Sequence, residues 1–95
     1  VENIISPSGN RTPNQFVIYN GKQVVFQSYE STIVVFDRDK KEILIGENYN
    51  YSRTTGKYRN EFFYNYIYFP ELADLKGLES ALKTGFCKDY KVKMM

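Results

Sequence analysis

Ser52, Arg53, Thr54, Thr55, Gly56 and Lys57, with Arg59 two positions further on, form the densest cluster of anion-seeking residue types in the chain. Hydroxyls, a glycine and cations at a helix start are the parts of an anion site. The first backbone N–H groups of a helix lack intrahelical partners, and that end of the dipole is positive. Ser52, Thr54, Thr55 and Gly56 are therefore candidate binders of a phosphate or carboxylate. Arg53, Lys57 and Arg59 are candidate contacts to a partner, and no acid interrupts residues 48–60. Ordinary capping by Thr54 or Thr55 also accounts for the hydroxyls. It does not explain why three bases crowd one helix start against the preference of the dipole.

The element that must carry this run is a helix from about Thr55 to Tyr68. Tyr58, Phe62, Phe63, Tyr66 and Ile67 recur at the spacing of one helical face, which predicts a stripe turned toward a core. Lys57, Asn60, Glu61, Tyr64, Asn65 and Tyr68 fall on the other face, where Tyr64 and Tyr68 become partner contacts beside the bases. Most of the nine tyrosines lie between Tyr49 and Tyr68. A tyrosine suits both a shallow core and an interface, because its ring is apolar and its hydroxyl tolerates water.

Around that helix the pattern reads as one small α+β domain. Residues 1–15 are rich in turn formers and read as an extended N-terminal arm, with 16–95 as the domain proper. Strands are predicted at Phe16–Tyr19, Gln23–Ser28, Thr32–Phe36 and Glu42–Ile45, the first two joined by an Asn20-Gly21 turn. Four strands linked by short turns make an antiparallel β-meander, packed against one or two C-terminal helices. The second helix spans Pro70 or Glu71 to Thr84, with Gly77 weakening its middle and Gly85 stopping it. The tail from Phe86 to Met95 alternates apolar residues with lysines, as an edge strand or a charged end.

Composition narrows the chemistry. The chain has 95 residues, 42% of them hydrophobic and 17% aromatic, with a net charge of +2, one cysteine and no histidine. One core fits that length. The commonest general base and metal ligand is missing, and no phosphate-binding glycine loop or nucleophile elbow is present. The expectation is a protein that is not an enzyme and uses no cofactor and no metal. Asp37 and Asp39 sit in the charged run Asp37–Lys41, read as a solvated turn with ordinary carboxylates. No apolar run is long enough to cross a membrane and no secretory leader is evident, so a cytoplasmic location is expected. A charge of +2 permits nucleic-acid binding without favouring it.

The runs FVIYNGK and FQSYES, followed by NYSRTTGKYRNEFF, resemble small accessory proteins encoded by tailed bacteriophages of Gram-positive hosts, over about Phe16 to Phe63. The resemblance implies phage origin, and proteins of that kind often bind and block a host or anti-phage defence protein, CRISPR nucleases among them. The leading reading is a non-catalytic inhibitor that engages such a protein in the host cytoplasm. The alternative is direct DNA or RNA binding through the basic, tyrosine-rich helix start. A third is a virion or scaffold component that pairs with copies of itself. On the first reading Arg59→Ala and Lys57→Ala weaken binding with little effect on melting, whereas Phe62→Ala destabilises.

Overall fold

Alternating burial defines the strands. The computed structural model describes residues 2–5 and 11–95, with side chains from residue 12 onward. Strands β1 (Glu2–Ile5), β2 (Arg11–Asn20), β3 (Gln23–Ser28), β4 (Ser31–Asp37) and β5 (Glu42–Ile45) form an antiparallel series. The chain then runs through helix α1 (Arg53–Glu61), a π-helical turn (Phe62–Tyr66), a 3-10 turn (Pro70–Leu72) and helix α2 (Leu75–Thr84). It returns as β6 (Phe86–Cys87) and β7 (Tyr90–Met94). The sheet has seven strands in the order β1-β2-β3-β4-β5-β7-β6.

Directly paired residues share a sheet face, so the register builds the core in rows. Val17, Phe26, Val34 and Ile45 stand in one row; Val24, Phe36, Ile43 and Val92 stand in the next. All eight are buried. Tyr58, Phe62, Phe63 and Ile67 from the α1 segment complete the same cluster, with Leu72, Leu78 and Ala81. Phe62 stacks on Phe26 with ring centroids 5.6 Å apart. Removing one such ring from water contributes on the order of 2–3 kcal/mol.

The α+β class and the meander hold, and four expectations need correction. The sheet has seven strands rather than four. Part of the expected arm is strand β1, and β2 starts at Arg11 rather than Phe16; the rest of the arm, residue 1 and residues 6–10, lies outside the described residues. The helices are not C-terminal but fill the crossover between β5 and β7, which pair in parallel. A parallel pair needs such a crossover. The tail therefore becomes β7, with β5 on one side and the two-residue β6 outside it. Finally, Asn20 pairs with Gln23, which leaves Gly21-Lys22 as the turn instead of Asn20-Gly21. Gly21 has φ 62, the left-handed conformation that glycine takes most easily.

Local packing explains two further departures. The expected second helix is broken, because Asp74 accepts the Gly77 N–H at 2.6 Å and starts α2 afresh. A Cβ on Gly77 would come 2.1 Å from the Glu71 carbonyl oxygen, so glycine there lets the 3-10 turn close over the helix. Gly85 ends α2 at φ 86, as the sequence predicts. In the α1 segment, the Ile67 N–H reaches back to the Phe62 carbonyl at 3.3 Å, which widens the last turn. That extra residue keeps Phe62, Phe63 and Ile67 all against the sheet.

Candidate interaction site at the start of helix α1

Ser52 begins the helix. Its Oγ accepts the Thr55 N–H at 3.1 Å and donates to Thr55 Oγ1 at 3.2 Å. Thr55 is buried and shares a 3.1 Å hydrogen bond with Ser28 on β3. The cap is thus Ser52 rather than Thr54 or Thr55, and Thr55 ties the helix start to the sheet. The Gly56 N–H is also occupied, donating to the Ser52 carbonyl at 3.0 Å. Of the four residues read as an anion cradle, Thr54 alone is exposed.

On one flank of this start, Ser52, Arg53, Gly56, Lys57, Asn60 and the carboxylate residue Glu61 are among the residues that line a shallow depression of about 510 Å³. Arg53 and Lys57 are exposed, and among the described residues neither is held in an ion pair. Lys22, Lys41, Lys88 and Lys93, by contrast, each pair with a carboxylate within 3.1 Å. The Lys57 ammonium lies 5.3 Å from the Tyr58 ring centroid. Tyr64 and Tyr68 are exposed further along the α1 segment. Tyr68, 78% exposed, has φ 57 where the helix ends.

Arg59 does not join the surface cations. It is 1% exposed, and its Nη1 donates to the Tyr49 carbonyl at 2.6 Å while Nη2 donates to Asn60 Oδ1 at 2.9 Å. Burial pulls its pKa down, against the upward pull of Tyr49, Glu79 and Asp74. Gly56 one turn earlier packs against the guanidinium, and a Cβ there would meet Nη1 at an ordinary contact distance of 3.7 Å. The Tyr49 hydroxyl donates to Glu79 Oε2 at 3.1 Å, which carries the link on to α2. Its place in the basic cluster at the helix start put Arg59 among the contacts; the carbonyl of Tyr49, ten residues back, draws it inward.

The other flank is a deeper cleft of about 830 Å³ between the β3–β4 turn and the helix start. Its floor is Ser28, Ile33 and Thr55, and its rim holds Asn14, Tyr29, Glu30, Asn48, Tyr51 and Thr54. Ile33 reaches the floor because it is the extra residue of a bulge, between the pairs Phe26↔Val34 and Gln27↔Thr32. Asn48 Nδ2 donates to Ser31 Oγ at 3.1 Å across the mouth. Tyr29 is 53% exposed at φ 55, a turn position where asparagine or glycine is usual, and that mismatch is the signal in the sequence that could have marked it.

Asp37 also differs from expectation. It is buried, and its carboxyl pKa is lowered first by the Lys40 N–H and then by the Gln23 side chain. Asp39, its neighbour in the run, pairs with Lys22 at 2.6 Å on the surface. Among the described residues no three of Cys, Asp and Glu gather where they could hold a metal ion.

No curated protein and no solved structure matches the chain. A family profile does match, over residues 1–73, and by that match the chain belongs to DUF8033, a family of unknown function.

Proposed function

We propose that this chain is a non-catalytic binding protein that docks a host or anti-phage defence protein through the solvent side of α1 and inhibits it. Arg53 and Lys57 are the cations of the contact, and Tyr64 and Tyr68 its rings. The observation that carries this reading is a pair of exposed cations, in no ion pair among the described residues, with two exposed tyrosines further along the chain. Arginine and tyrosine supply a large share of binding energy at protein interfaces. Tyr68 supports it further: a side chain of that size at positive φ costs on the order of 1 kcal/mol, and such strain clusters at functional positions. The choice of a host or defence target rests on the phage-like sequence runs, and the host cytoplasm would be the place of action.

The test is affinity capture from host cells with the chain as bait, run beside the Arg53→Glu/Lys57→Glu double variant. A protein retained by the parent chain and lost by the variant supports the reading; equal capture by both removes it. Direct nucleic-acid binding is the second reading, favoured by the same unpaired cations. A gel shift separates the two, because phosphate contacts make affinity fall steeply with salt.

A further inference from the structure

We propose that the cleft between the β3–β4 turn and the start of α1 is a binding site for a neutral, polyhydroxylated ligand, a saccharide. Its volume of about 830 Å³ falls in the range that holds small ligands. Among the described residues the lining carries no lysine or arginine and a single carboxylate, Glu30, so an anion finds no counter-charge in those walls. Apart from Ile33 and two tyrosines, the other walls are hydroxyls and amides. Such walls suit a ligand that donates and accepts many neutral hydrogen bonds.

Two rings stand at the mouth. Tyr29 is 53% and Tyr51 78% exposed, and flat apolar faces of this kind can cover the C–H face of a pyranose while the phenol hydroxyls stay wet. Tyr29 keeps its place at φ 55 although the conformation is costly for a tyrosine, and its N–H is fixed to the Asn14 carbonyl at 2.7 Å.

Gln15 lies beside the cleft floor without lining it. It is 0% exposed, and among the described residues neither its Nε2 nor its Oε1 has a hydrogen-bond partner. Gln15 is the direct cross-strand partner of Ser28 on the cleft floor, and paired residues share a face. An amide buried without partners is expensive and calls for an explanation. Its full burial keeps the amide out of reach of a ligand in the cleft, so recognition rests on the polar walls and the two rings at the mouth.

The experiment is a ¹⁵N–¹H titration of the full chain with a panel of neutral disaccharides built from hexoses, N-acetylhexosamines and pentoses. Inorganic phosphate and a capped neutral tripeptide run alongside. Shifts confined to Ser28, Tyr29, Ser31, Asn48 and Thr54 with at least one sugar are expected. Tyr51→Ala should weaken that sugar by about tenfold, the effect of one stacked ring. Thr54→Val, which removes an exposed wall hydroxyl, should also weaken that sugar while leaving the melting temperature nearly unchanged, which separates lost recognition from lost folding. The proposal is overturned if no sugar in the panel shifts these resonances, if phosphate or the tripeptide shifts them as strongly, or if both variants bind the sugar unchanged. The docking proposal stands or falls separately, since it concerns the opposite flank and no protein partner is in the titration.

Discussion

The two flanks of the α1 start differ in what they leave unsatisfied. One leaves charge: among the described residues Arg53 and Lys57 form no ion pair, although Glu61 lines the same depression. The other leaves neutral polarity: hydroxyls and amides around a cleft that has no cation among the described residues of its lining. Ser52 divides them and lines both. The contrast between Arg53 and Arg59 teaches the same lesson within one helix. Each is an arginine in the same nine-residue segment, yet one is exposed and the other is sealed in a hydrogen-bonded niche. Residue type predicts what a group can do, and the partners within reach decide whether it is already occupied.

Phe62→Ala should break both flanks at once. The ring is fully buried against Phe26 and holds the helix to the sheet, so a loss of about 3–5 kcal/mol is expected in denaturant unfolding. A loss below 1 kcal/mol would mean that the helix is not seated as described. Arg59→Ala should affect the cationic flank from beneath, costing roughly 2–3 kcal/mol through the emptied niche and the freed Tyr49 carbonyl. This reverses the expectation from sequence that Arg59 could be truncated without a change in melting.

Gln15→Leu sharpens the other flank. Replacing an unpaired buried amide with an apolar group of similar size should stabilise by about 1–2 kcal/mol, read as a higher denaturant midpoint. Arg53→Ala and Lys57→Ala should each stay within about 0.5 kcal/mol of the parent, since both side chains are exposed and unpaired. A marked drop in melting temperature would show that they are held internally after all.

The smallest effect belongs to neither flank. Hydrogen bonds from the Lys40 N–H and Gln23 hold the Asp37 carboxyl below the usual carboxylate range. Its contribution is therefore fully present above the unfolded pKa of about 3.9 and is lost as pH falls through the lower folded value. Asp37→Asn should flatten the acid limb of the stability profile while leaving binding at either flank unchanged at neutral pH.

Several features were legible because they depend on neighbours in sequence. Phe62, Phe63 and Ile67 face the core as their spacing predicts, Gly85 stops α2, and strands β3, β4 and β5 lie within a residue or two of their expected ends. The cap and the turn slipped by small steps, to Ser52 and to Gly21-Lys22. Neighbouring residues of similar propensity compete for such positions, and small differences in hydrogen bonding choose between them.

What only the tertiary structure decided has a common cause. β7 is a weak strand by itself, and it forms because the helical crossover delivers it in parallel beside β5. Arg59 turned inward because the Tyr49 carbonyl and the Asn60 side chain offered it acceptors. The cleft joins residues from β2, the β3–β4 turn and the loop before α1, and Gln15 shows as unpaired only when every neighbour is in place. By itself the sequence settled which residues were apolar, which were charged and where the chain could turn. Long-range pairing settled which polar groups were already used, because a hydrogen bond between distant residues leaves no periodicity in the chain.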